Sequence, residues 1–176
     1  CYATGNVETP DAYSFSGAFV GQNNGKIDYS FATGDVRNAA GFVGMNDGIV
    51  RRSYSTGDVY NASSTFARQN ASIIADCYSL GNIYSQEQRL YTGFISRYDN
   101  NATTRGFSMG SIHIEDGTRW CAGIVPAYNE ISELYYLADG CVDSLTMGTG
   151  LSSEQMVQKE SFSAFDFESV WYLEKG

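Results

Sequence analysis

The chain has 176 residues and carries 11 Lys and Arg against 20 Asp and Glu, a formal net charge of −9. That charge repels phosphate backbones and anionic lipid, which argues against nucleic acid and membrane surfaces as partners, and no apolar run approaches the roughly 20 residues of a membrane-spanning helix. With 19 Gly, 13 Tyr, 10 Phe and only 2 Pro, the composition suits short strands and tight turns around one core.

The chain opens on a unit that returns throughout. Cys1-Tyr2-Ala3-Thr4-Gly5-Asn6-Val7 is followed by Ser30-Phe31-Ala32-Thr33-Gly34-Asp35-Val36, Ser53-Tyr54-Ser55-Thr56-Gly57-Asp58-Val59 and Cys77-Tyr78-Ser79-Leu80-Gly81-Asn82-Ile83. Gly106-Phe107-Ser108-Met109-Gly110-Ser111-Ile112 is a weaker copy, and the segment around Tyr135 is a degenerate one. With each central aromatic as position zero, the spacings are 29, 23, 24, 29 and 28 residues, a period that marks solenoids and propellers. A second anchor keeps step with the first: Gly17-Ala18-Phe19-Val20-Gly21, Ala40-Gly41-Phe42-Val43-Gly44, Thr65-Phe66-Ala67, Gly93-Phe94-Ile95 and Gly123-Ile124-Val125. Polar turns such as Gln22-Asn23-Asn24-Gly25 and Met45-Asn46-Asp47-Gly48 separate the anchors. Their Asn-Gly and Asp-Gly pairs are expected to turn the chain through φ > 0. The chain begins within a repeat, at Cys1, so a preceding segment, since removed, is expected.

Each repeat reads strand, turn, strand, glycine bend, short strand and variable loop. A bare repeat of about 24 residues is too short for a propeller blade of about 40. It fits one coil of a parallel β-helix, where each repeat touches only its neighbours and equivalent residues stack about 4.8 Å apart. The expected fold is therefore all-β, a β-solenoid of about five to six coils over residues 1–150. Positions −1 and +1 are small and position zero is aromatic; either set suits the interior. The stretch 151–176 breaks the pattern. Ser152 with Gln155 marks the start of a short helix, and the Phe- and Trp-rich run after it is expected to cap the last coil.

Gly41-Phe42-Val43-Gly44, Asn46-Asp47-Gly48 and Ser53 to Val59, with the matching copy from Gly17 to Val36, resemble the GLUG motif. In that family the motif is repeated in bacterial surface proteins, in adhesins and in the non-catalytic parts of IgA1-cleaving peptidases. The resemblance covers residues 1–112 well and the remainder loosely, with Thr65, Arg68, Ser96 and Ala138 standing where glycines belong. It implies a right-handed β-helix in a secreted or cell-surface setting. It brings no catalytic site, because the motif marks scaffold positions.

Few residues offer chemistry of their own. His113 is the sole histidine, which excludes a multi-histidine zinc site and argues against a histidine-based triad. Position +4 places Asp35 beside Asp58, with Asn6 and Asn82 flanking them. Like charges one strand spacing apart repel unless solvated, paired or bridged, so these four are a candidate Ca²⁺ site, with solvated turn carboxylates as the bland alternative. No other cofactor is implied. The position-zero rings Tyr2, Tyr54 and Tyr78, or Tyr13, Tyr60, Tyr84, Tyr91 and Tyr98, form an aromatic platform for sugars or proteins if they are exposed together; otherwise they stack in the core. Cys1 and Cys77 fall three strand spacings apart, beyond disulfide reach. Cys121 and Cys141, about one repeat apart, are a candidate disulfide, unless all four cysteines serve as buried thiols.

The leading functional expectation is a non-enzymatic, secreted or cell-surface module that adheres to a host protein or glycan. The alternatives are a polysaccharide-active β-helix enzyme, needing clustered acids and a base on one groove, and a structural unit that self-associates end to end.

Overall fold

The computed structural model describes residues 1–10, 15–86, 93–98, 103–121, 123, 132–142 and 148–172. It is nearly all β and dominated by parallel pairing. The strands follow in chain order as β1 (Tyr2–Ala3) and β2 (Val7–Glu8), then β3 (Val20–Asn23), β4 (Lys26–Asp28), β5 (Phe31–Ala32) and β6 (Val36–Arg37). The next passage gives β7 (Val43–Asn46), β8 (Ile49–Arg51), β9 (Tyr54–Ser55) and β10 (Val59–Tyr60). It is followed by β11 (Ala67–Asn70), β12 (Ile73–Ser79) and β13 (Ile83–Ser85), then β14 (Ile95–Tyr98), β15 (Thr103–Ser108) and β16 (Ser111–Ile114). The remainder is β17 (Arg119–Cys121), β18 (Ser132–Leu137), β19 (Thr149–Leu151) and the short helix α1 (Ser153–Met156).

Three sheets collect these strands. Sheet 1 runs β1-β5-β9-β12-β15-β18-β19, with β4 and β8 joining at β12; sheet 2 runs β2-β6-β10-β13-β16-β17; sheet 3 runs β3-β7-β11-β14. From β3 to β16 the chain visits sheet 3, sheet 1 and sheet 2 in that order four times, which is compatible with a β-helix. The register is that of the sequence repeat: Tyr2 pairs with Phe31, Phe31 with Tyr54, Tyr54 with Tyr78, Tyr78 with Phe107 and Phe107 with Tyr135.

The small residues face inward. Ala32, Ser53, Ser55, Cys77, Ser79 and Ser108 are buried, whereas Phe31, Tyr54, Tyr78 and Phe107 are half-buried. The space behind them is filled from sheet 3, where Phe19, Phe42, Phe66 and Phe94 stack at 4.8 Å between successive centroids. With that stack in place, only small side chains fit on sheet 1. The inward hydroxyls of sheet 1 find partners: Ser55 Oγ donates to the Thr65 carbonyl (2.6 Å), and Ser79 Oγ lies 2.7 Å from Thr65 Oγ1 and donates to Ser108 Oγ at 3.2 Å.

A buried asparagine column marks the corner between sheets 3 and 1. Asn23 Nδ2 donates to Asn46 Oδ1 (2.7 Å), Asn46 Nδ2 to Asn70 Oδ1 (2.8 Å) and Asn70 Nδ2 to Thr103 Oγ1 (3.0 Å). Asn23 Oδ1 and Asn70 Oδ1 also accept the backbone N–H groups of Gly25 and Ser72 within their turns. These two amides thus serve their own turn and the next repeat, and Asn46 adds a bond to the Ile73 carbonyl, as buried polar groups require.

The turn glycines correct the expectation of φ > 0. Among the described residues, the only glycines with positive φ are Gly117, Gly140 and Gly148. Gly48 is needed because a Cβ there would overlap the carbonyl oxygen of Gly25 one coil below. The left-handed conformation falls instead on Asn38 and Asn61, just past their sheet 2 strands, and on Tyr29, Arg52, Asp76, Arg105 and Glu133, all with φ between 46° and 64°. Each of these last five lies two residues before a position-zero aromatic, where β12, β15 and β18 run through the kink and the other two copies break into two strands. Left-handed geometry costs a non-glycine residue about 1–2 kcal/mol, and cross-coil pairing offsets it here. Arg52 clasps Asp28 with two nitrogens and lies 4.2 Å from the Tyr29 ring centroid. Arg105 holds Asp76 at 2.7 and 3.0 Å.

Past β16 the pairing in sheet 2 changes. β17 folds back antiparallel on β16, pairing Cys121 with Ser111 and Trp120 with Ile112. α1 has the expected capping box, with the Gln155 N–H donating to Ser152 Oγ and the Ser152 N–H to Gln155 Oε1. The segment after it packs on the outward aromatics of sheet 1. Phe162 and Phe165 meet Tyr135 edge-on at 5.0 and 5.6 Å, and Trp171 covers Phe107 and Tyr78 at 5.6 and 6.1 Å. No helix among the described residues is long and apolar enough to cross a membrane.

Candidate functional site

The four residues offered for Ca²⁺ do come together, as one column along the bend between sheets 1 and 2. Asn6 Oδ1 accepts the Asp35 N–H (3.0 Å), Asp35 Oδ1 the Asp58 N–H (2.9 Å), Asp58 Oδ1 the Asn82 N–H (2.8 Å) and Asn82 Oδ1 the Ser111 N–H (3.1 Å). Each side chain therefore caps a backbone donor of the next coil. The repulsion between Asp35 and Asp58 is relieved by N–H dipoles, and one oxygen of each carboxylate is engaged without a cation. Among the described residues no group of three or more His, Cys, Asp or Glu side chains converges as a metal site.

The position-zero rings form a continuous outward column. Tyr2, Phe31, Tyr54, Tyr78 and Phe107 stack at 5.4, 5.1, 4.8 and 5.0 Å, with interplanar angles of 12° or less. Stacking of this kind occupies the ring faces with neighbouring rings and leaves edges to solvent. Tyr2, 69% exposed, is the open rung, whereas Trp171 covers Tyr78. Burial, with a smaller contribution from Tyr54, pushes the Tyr78 phenol upward.

A second column, on the outer face of sheet 2, joins two of the platform candidates, Tyr60 and Tyr84, to residues the sequence reading did not place with them. Position +6 of successive copies is Glu8, Arg37, Tyr60, Tyr84 and His113, and the strand register places each beside the next. The Arg37 guanidinium carbon lies 5.3 Å from the Tyr60 ring centroid, Tyr60 stacks on Tyr84 at 5.2 Å, and Tyr84 on His113 at 5.0 Å. Tyr60, Tyr84 and His113 are half-buried, while Arg37, Gln86 and Glu115 on the rim are exposed. Together they line an open groove of about 250 Å³. Burial and then the Asp58 charge push the Tyr84 phenol upward, so it remains a hydrogen-bonding phenol at neutral pH. The residue types along this column differ, so only the register exposes it. Of the other tyrosines considered, Tyr13 and Tyr91 lie outside the described residues, as does the Tyr98 side chain.

The cysteines separate cleanly. Cys121 and Cys141 form a disulfide with Cα atoms 5.1 Å apart, tying β17 to the segment after β18. Cys1 is a free exposed thiol and Cys77 a free buried one, and burial raises the Cys77 thiol pKa strongly.

No family model, curated protein or solved structure matches this chain.

Proposed function

We propose that the chain is a right-handed parallel β-helix of GLUG-type repeats. In this reading it serves as a secreted or cell-surface scaffold that presents adhesive surfaces and performs no chemistry of its own. One observation carries this reading: the acidic side chains repeated along the coil, Asp35 and Asp58, cap backbone N–H groups of the next coil. A carboxylate held in that way supports stacking and is poorly placed to exchange protons with a substrate. The lone histidine stacks on Tyr84, which suits a surface column better than a relay.

The test pairs adhesion with turnover. The intact chain is applied to immobilised host-surface proteins and glycans, and the same polysaccharides are assayed for newly formed reducing ends. Retention on a surface without release of sugar is expected. Release of sugar would replace this reading with the polysaccharide-active alternative. A mass that grows with concentration, without retention, would favour the end-to-end structural unit.

A further inference from the structure

We propose that the groove on the outer face of sheet 2 binds a neutral linear polysaccharide lying along the stack of coils, one sugar unit per coil. The assignment rests on the scaffold reading and names its ligand class.

The spacing is the first argument. Arg37, Tyr60, Tyr84 and His113 succeed one another at 5.3, 5.2 and 5.0 Å. An extended peptide advances about 3.3 Å per residue and a polyproline II segment about 3.1 Å, so neither repeats in step with these rungs. A pyranose unit in an extended chain is about as long as one rung, so each coil meets an equivalent part of the next sugar.

The chemistry of the lining is the second. Ring faces in the column are covered by their neighbours, so the ligand meets ring edges, two phenols, an imidazole and a guanidinium. Gln86 and Glu115 form a polar rim and are themselves joined at 3.2 Å. Such a surface offers hydrogen bonds to hydroxyl groups at every rung and little to an apolar ligand. The third argument is charge. A chain of net charge −9 repels polyanions. Arg37, the one cation among the described residues that line the groove, already has Glu8 at 3.9 Å, so a neutral sugar is favoured over an acidic one. Each rung contributes weakly, and affinity accumulates with the number of sugars engaged.

The experiment is calorimetric titration of the intact chain with cello-, xylo-, chito- and malto-hexaose and with the corresponding monosaccharides. At least one hexaose is expected to bind, and its monosaccharide not measurably. Tyr60→Phe and Tyr84→Phe keep the stacked rings and remove one hydroxyl each. Each is expected to weaken binding by about three- to ten-fold, Tyr60→Phe with an unchanged melting temperature, while Tyr54→Phe on sheet 1 binds as the parent does. Failure of all four hexaoses to bind, or binding by both groove variants as tight as the parent's, overturns the assignment. A chain that binds no hexaose yet adheres to a host protein loses this groove and keeps the scaffold role. A chain that binds a hexaose through Tyr60 and Tyr84 and cleaves it keeps the groove and loses the non-enzymatic reading.

Discussion

The carboxylate of Asp35 accepts the backbone N–H of Asp58, one coil further along, at 2.9 Å. Asp58 repeats the arrangement with the N–H of Asn82 at 2.8 Å. Removing the acceptor with Asp58→Ala is expected to cost about 1–2 kcal/mol in urea unfolding, and Asp58→Asn, which keeps a carbonyl oxygen, about half of that or less. Because these oxygens already hold backbone donors, millimolar Ca²⁺ is expected to leave the melting temperature unchanged. A rise of several degrees on adding Ca²⁺, reversed by chelation, would establish an ion at Asp35 and Asp58.

Asn46 sits in the middle of the buried amide column, fully shielded from solvent. Asn46→Ala removes an acceptor from the Asn23 amide below it, a donor from Asn70 above it and its own bond to the Ile73 carbonyl. Uncompensated polar groups in a core cost about 1–3 kcal/mol each, so a loss of about 3 kcal/mol is expected. Asn23, at the first rung, breaks one such bond, and Asn23→Ala is expected to lose about half as much. Equal, small losses would mean that the column is not continuous.

Stability is expected to fall in acid. Burial acts to raise the Asp28 carboxyl, but hydrogen bonds and charge from Arg52, with Lys26 adding to them, outweigh it and hold the group below its ordinary value. Hydrogen bonds from Ser153 and Ser169 hold Asp139 and Asp166 low in the same way. The folded chain takes up these protons less readily than the unfolded chain. Their contribution is therefore complete above about pH 4 and is lost as pH falls through the lower folded values. Unfolding curves between pH 2 and pH 7 are expected to show this loss, and Asp28→Asn to lessen it. A profile unchanged by that substitution would contradict a stabilising role for the Arg52 clasp.

The thiols give a direct chemical readout. A thiol reagent is expected to modify Cys1 alone in the native chain, and Cys77 as well after denaturation. The disulfide closes a loop of 20 residues, so its reduction is expected to cost about 3 kcal/mol and to lower the melting temperature. Four reactive thiols before reduction would contradict the pairing.

The register of the coils was legible in the sequence because a parallel stack sets like residues beside like residues. Tyr54 pairs with Tyr78 in the structure just as the two copies align by eye. The facing of the strands was not legible. Small residues and aromatics alternate with period two, and that period fits either orientation until the Phe42 stack fills the interior. Nor was the kink, since Arg52 and Arg105 are not residues that announce a left-handed backbone; their cross-coil partners support it. The sheet 2 groove was legible only in part. Tyr60 and Tyr84 stood among the platform candidates, but Arg37, Tyr60, Tyr84 and His113 share a place and not a residue type, so motif reading does not join them.

In-register stacking of the coils is tested most directly by two glycines at the same repeat position. A Cβ on Gly57 would overlap the carbonyl oxygen of Gly34, whereas a Cβ on Gly5, in the first coil, meets nothing within 4 Å. Urea unfolding of Gly5→Ala and Gly57→Ala is the measurement. Gly5→Ala is expected to change stability by no more than about 0.5 kcal/mol and Gly57→Ala to lose about 2 kcal/mol or more, as backbone overpacking does. Equal losses at the two positions would contradict a stack in which each bend rests on the one before it.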